Sequence, residues 1–109
     1  MAVRIQVVTV RRTRCPPCDE AHSEAKRAIH KLGMSQDAEA VEANLDNARG
    51  DGIVAGLPEP FSRQEKKMLP VVVIVDREED RELKRLIQPD AGDVFASMRH
   101  VAETMMQPA

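Results

Sequence analysis

The sequence has no tryptophan and no tyrosine, and its only aromatic residues are Phe61 and Phe95. A base-stacking surface of the kind that single-strand nucleic-acid binders use has nothing to be built from, and the core is left to Val, Ile, Leu, Ala and Met. An excess of charge of one sign is missing as well. The 16 Lys and Arg stand against 18 Asp and Glu, a formal net charge of −2, so no overall basic field draws in nucleic acid or an acidic membrane surface. Long hydrophobic runs are also absent. The apolar start MAVRIQVVTV contains Arg4, falls far below spanning length and is followed by no small-residue cleavage site. It reads as a strand in a cytoplasmic protein.

Cysteine is scarce too: Cys15 and Cys18 are the only two, and both lie in one CPPC cluster. A disulfide there closes too small a loop to restrain the unfolded chain much, unlike the long-range staples of small secreted domains. The pair is therefore chemical rather than architectural. The 109 residues fit one domain, 1–109, large enough to bury a core without staples, and hence one main site.

What is present has a clear order. Val3 to Val10 is apolar, rich in β-branched residues and without helical period, and Arg11, Arg12, Thr13 and Arg14 close it, so it reads as a buried strand. From Pro16 to about Leu32 the apolar Ala21, Ala25, Ala28, Ile29 and Leu32 recur at helical spacing, Asp19 and Glu20 occupy the first turns, and Gly33 supplies the stop. Ala40 to Asp46 alternates weakly and reads as a second strand, parallel to the first through a crossover helix. The Gly- and Pro-rich stretch Asn47 to Pro60 reads as a surface loop, followed by a short helix near Phe61 to Met68. Pro70 opens the run VVVIV, the most β-prone segment. Asp76 to Asp80 is then a charged turn into an edge strand, Glu82 to Ile87. A last helix starts near Asp90, capped with Asp93, and carries Val94, Phe95, Met98, Val101, Ala102 and Met105 on one face. Met98, Met105 and Met106 read as core or terminus rather than as a binding stripe.

The fold class is thus α/β: βαβ, then ββα, with a four-stranded mixed sheet flanked by helices. With CPPC at the first strand–helix junction and a proline at the mouth of the third strand, the chain resembles the thioredoxin superfamily. The segment VVTVRRTRCPPCDEAHSEAKRAIHKLG is similar to the opening of glutaredoxins, and Leu69-Pro70 before VVVIV is similar to the cis-proline segment of thioredoxins and glutaredoxins. Arg14 stands where thioredoxins usually have tryptophan, which favours the glutaredoxin-like side. The resemblance implies a cis Leu69–Pro70 bond beside the cysteines, with Pro70 presenting its backbone to a substrate segment. It also implies that Arg12 meets a glutathione carboxylate, and that Asp90, Ala91, Gly92 and Asp93 stand in for the residues with which glutaredoxins hold glutathione.

Thiol–disulfide exchange needs a thiolate, and a helix N-terminus with neighbouring cations lowers a cysteine pKa below its ordinary value of about 8.5. Cys15 falls at the expected N-cap with Arg11, Arg12 and Arg14 just ahead. Pro17 has no amide to offer it, so only the Cys18 amide remains as a donor and a moderately acidic Cys15 is expected. Cys15 is then the attacking thiol and Cys18, one turn further in and less exposed, the resolving one. The function expected is reduction of protein or glutathione mixed disulfides, with no bound cofactor and no metal, and with glutathione or a flavin disulfide reductase as electron donor. Two other readings use the same pair: a thioredoxin-fold protein that binds a metal or an iron–sulfur cluster, with His22 as the nearest further ligand, and a non-catalytic interaction module. His22 is also placed to tune the cysteines from the next turn.

Overall fold

In the computed structural model, residues 3–105 are described, apart from the side chain of Met105. Strand β1 (Ile5–Arg11) leads through a short loop into helix α1 (Pro16–Lys31), and strand β2 (Ala38–Asn44) follows. Helix α2 (Ala48–Ala55) and a 3₁₀ turn (Glu65–Lys67) precede the hairpin of β3 (Val71–Asp76) and β4 (Arg81–Ile87), and helix α3 (Ala91–Met105) ends the described chain. The four strands form one sheet in the order β2-β1-β3-β4. β1 runs parallel to β2, from Ile5 opposite Ala38 to Arg11 opposite Asn44, and antiparallel to β3. The mixed sheet and its βαβ–ββα order are those expected from the sequence. No helix among the described residues is long and apolar enough to cross a membrane.

The pleat splits the core in two. Ile5 and Val7 of β1, with Val72 and Ile74 of β3, face α1 and α3 and pack on Ala21, Ala25, Ala28, Val94, Met98 and Val101. Val8 and Val10, with Val71, Val73 and Val75, face the other way onto Leu45, Val54 and Leu57. Helix α1 stops where its glycine allows. Gly33 has φ +68°, its N–H bonds His30 O at 3.2 Å, and the Met34 N–H bonds Ile29 O at 2.9 Å. This pair of bonds caps the last carbonyls with a left-handed residue that favours glycine. Helix α3 begins with a reciprocal pair in which the Asp93 N–H donates to Asp90 Oδ1 (2.8 Å) and the Asp90 N–H to Asp93 Oδ2 (3.2 Å). Of the apolar face expected on α3, Val94, Met98 and Val101 are buried, while Met106 and the Met105 side chain lie outside what is described.

Three expectations need correction. Asn47 to Pro60 is not a loop throughout, because Ala48–Ala55 is helical: Asn47 Oδ1 accepts from the Gly50 N–H at 2.8 Å, and Val54 and the following Leu57 dock on the sheet. Its glycines mislead as breakers, since a Cβ on Gly50 would stand 1.8 Å from Asn44 O, so glycine here permits close packing of α2 on the end of β2. The helix expected at Phe61 to Met68 shrinks to the 3₁₀ turn Glu65–Lys67. Ser62 and Glu65 bond each other's backbone N–H, and Arg85 of β4 fastens the segment through Glu65 (2.7 Å) and the carbonyls of Pro60 and Glu59. Finally, β2 is shifted two residues N-terminal, to Ala38–Asn44, because Asn44 Oδ1 turns back to accept from the Asp46 N–H at 2.9 Å.

Candidate active site

The two cysteines are joined in a disulfide, with an S–S distance of 2.07 Å. Cys15 is the N-cap of α1 and Pro16 and Pro17 form its first two positions, so among the described residues the only amide reaching the Cys15 Sγ is that of Cys18, at 3.2 Å. Cys18 is fully buried, whereas Cys15 is half-buried at the surface. Only one sulfur therefore faces an incoming reactant. This difference follows from the helix: residue 18 falls on the same face as the buried Ala21, Ala25 and Ile29.

The loop that delivers Cys15 is tied to the end of β2. Asp46 accepts from the Thr13 N–H and from the Arg12 guanidinium, each at 2.8 Å, and Asn44 Nδ2 donates to Thr13 Oγ1 at 3.1 Å. The Thr13 amide first, and Arg12 after it, hold the Asp46 carboxyl below the usual carboxylate range. Arg14 then takes φ +56°, a left-handed conformation uncommon for a residue with a side chain, to turn the chain into the helix.

The three arginines ahead of Cys15 part company. Arg11, the last residue of β1, is buried and paired with Asp19 of α1 and with Glu42 of β2 (2.6 Å), so its charge is matched within the fold. His22 joins this group, with Nε2 3.7 Å from Glu42 Oε1 and a buried Nδ1 that has no partner among the described residues. Burial pushes the His22 pKa down. Glu42 opposes that, and Lys26 and Arg11 reinforce it. Arg12 is half-exposed on Asp46, and Arg14 is exposed.

An open groove of about 630 Å³ runs past Cys15, lined by Arg12, Thr13, Arg14, Pro16, Pro17, Leu69, Lys66 and Lys67. It brings together Arg12, Arg14, Cys15 and Leu69 from the expected site. The Leu69–Pro70 bond is cis and Pro70 is buried behind Leu69. Gly92 and Asp93 are placed apart, in the first turn of α3, and neither lines the groove. A separate cleft of about 110 Å³ between Pro17, Glu20, Ala21, Pro89, Asp90 and Ala91 reaches only as far as their neighbours. Lys66 and Lys67 were not singled out in the sequence. The one available clue is their position three and four residues ahead of Pro70, which the 3₁₀ turn converts into a place on the groove wall. Among the described residues no group of three or more His, Cys, Asp or Glu side chains is arranged to hold a metal ion.

No protein-family model matches this sequence, and no curated protein sequence does so either. Solved structures do match. A germline-specific thioredoxin, Deadhead, from Drosophila melanogaster superposes with a TM-score of 0.59 at 20% identity, over 94% of this chain and 82% of that one. Mitochondrial thioredoxin 3 from Saccharomyces cerevisiae gives a TM-score of 0.62 at 14% identity, over 90% and 79% of the two chains. Fasciola hepatica thioredoxin gives 0.57 at 15% identity, over 89% and 81%. With its four-stranded mixed sheet, flanking helices, CPPC disulfide at the head of α1 and cis-proline at the mouth of β3, the chain has the thioredoxin fold.

Proposed function

We propose that this protein is a thiol–disulfide oxidoreductase of the cytoplasm, a single domain over 1–109, that reduces protein or glutathione mixed disulfides with the Cys15–Cys18 pair. The observation that carries the reading is the asymmetry of the closed disulfide, with one sulfur at the open helix N-terminus and the other fully buried beneath it.

In the reduced protein, the Cys15 thiolate attacks one sulfur of a substrate disulfide. A Cys15–substrate bond forms and the other substrate sulfur leaves as a thiolate. Cys18, deprotonated, attacks Cys15 Sγ, and the intramolecular disulfide forms as the second substrate thiolate departs. Two electrons have passed from the dithiol to the substrate, and the two protons lost from the cysteines balance those taken up by the product thiols. The disulfide seen here is the oxidised end of that half-cycle. The Cys18 N–H bond to Cys15 Sγ and the dipole of α1 both favour negative charge on the outer sulfur.

Electrons return from glutathione or from a flavin disulfide reductase, and no bound cofactor is part of the cycle. On the glutaredoxin-like reading, Arg12 receives a glutathione carboxylate, Leu69 and Pro70 offer the backbone at the groove wall, and Gly92 and Asp93 complete the glutathione site from α3. Nucleic acid and membrane have no part in this reading. Turnover of insulin and of a glutathione mixed-disulfide peptide, with each reductant in turn, tests it. Cys15→Ser is expected to lose activity on both substrates, and Cys18→Ser to accumulate a mixed disulfide visible by mass. Inactivity of the wild type with both substrates and both reductants would overturn it.

A further inference from the structure

The chain as a whole is slightly acidic, yet the wall around the outer sulfur is not. Arg12 and Arg14, from the β1–α1 loop, and Lys66 and Lys67, from the turn before β3, line the same groove as Cys15, and among the described residues no carboxylate lines it. Asp46 matches Arg12 from behind. The side chains of Arg14, Lys66 and Lys67 have no ion pair or hydrogen bond among the described residues. By contrast, the structural arginines Arg4, Arg11 and Arg85 are all held by carboxylates.

Unmatched cations from two segments lining one groove with the reactive sulfur form a field that the fold itself does not use. Such a field raises the local concentration of anions and the rate at which they arrive. Resting on the disulfide-exchange reading above, we propose that the groove selects disulfides carried on acidic polypeptide segments. A segment bearing several Asp or Glu residues around its half-cystine reaches both pairs of cations at once. A free glutathione moiety carries about one net negative charge and cannot match both. The exchange step is the one already written, and dithiothreitol supplies the electrons in the test.

Three synthetic peptides with the same internal disulfide, flanked by glutamates, serines or lysines, and oxidised glutathione as a fourth substrate, measure this selection through kcat/KM. At about 20 mM salt the acidic peptide is expected to exceed the basic one by roughly tenfold or more, and at about 0.5 M salt the ratio falls to within about twofold. Lys66→Glu/Lys67→Glu is expected to abolish or invert the ranking and Lys66→Gln/Lys67→Gln to flatten it. Arg27→Glu/Arg99→Glu, the same charge change on exposed faces of α1 and α3 outside the groove, is expected to preserve it. Equal kcat/KM for the three peptides with turnover intact would overturn the selection and leave the oxidoreductase standing. The selection also fails if the ranking is unmoved by the lysine variants, or if oxidised glutathione outpaces the acidic peptide. Absence of turnover with every substrate would overturn both readings together.

Discussion

On one face of the sheet, Ile5, Val7, Val72 and Ile74 lie under two helices of 16 and 15 residues; on the other, Val8, Val10, Val71, Val73 and Val75 lie under the eight-residue α2 and the connections around it. The first cover is regular, with an apolar stripe on each helix and a cap at each start. The second is improvised. Helices shorter than about 12 residues are marginal alone, and α2 carries two glycines in its eight residues, so the docking of Val54 and Leu57 and the Asn47 cap must stabilise it. The cysteine pair is built into the regular cover, while α2 and the 3₁₀ turn, which supplies half of the cationic groove wall, lie in the 45–70 stretch that closes the other face. A fixed reactive centre thus stands beside a wall from a less self-sufficient part of the chain.

The contrast is broken most severely at Gly50. Gly50→Ala places a methyl group inside the Asn44 backbone, and since backbone cannot swing aside as a side chain does, α2 must lift from β2. A loss of about 3 kcal/mol or more is expected in denaturant unfolding. A loss below about 0.5 kcal/mol would show that α2 does not pack as described. Two residues on, the same substitution sharpens the contrast from the other side. Gly52 has open space where its Cβ would be, so Gly52→Ala is expected to stabilise by about 0.5–1 kcal/mol through helix propensity alone.

The smallest effect at neutral pH belongs to His22, on the regular face. Burial holds its folded pKa below the ordinary value, with Glu42 only partly offsetting this. The unfolded chain therefore binds the proton more readily. The contribution of neutral His22 to stability is fully present above its unfolded pKa of about 6.5, and it is lost as pH falls through the window down to the folded value. Melting curves of the wild type should show this acid-side loss, and His22→Gln should flatten it. An unchanged pH dependence in His22→Gln would place the acid sensitivity elsewhere.

The sequence was most legible where one period dominates over many residues. Ala21, Ala25, Ala28 and Ile29 identify the buried face of α1, and Cys18 shares that face. The residue types at 15–18 likewise dictate the single amide at Cys15 Sγ, since Pro17 has none to give. Arg11 was less legible, because nothing local distinguishes it from Arg12 and Arg14. Its burial and its pairing with Glu42 arise from the parallel register of β1 and β2, which sets Glu42 opposite Thr9, two residues from Arg11 along the strand and so on the same face of the sheet. Asp76 reads as the start of a charged turn, yet it is fully buried. Burial would raise its pKa, but Arg4 and the amides of Glu79 and Glu78 outweigh that and hold it low.

By itself, then, the sequence determined what depends on neighbours along the chain: the strand, cap and helix that present Cys15, the hairpin, and the apolar period of α1 and α3. Tertiary structure alone decided that a Gly-rich stretch folds into α2 and that Lys66 and Lys67 line the same groove as Arg14 and Cys15. Both depend on contacts between segments distant in sequence, where packing room and the Arg85 anchor, not local propensity, select the conformation.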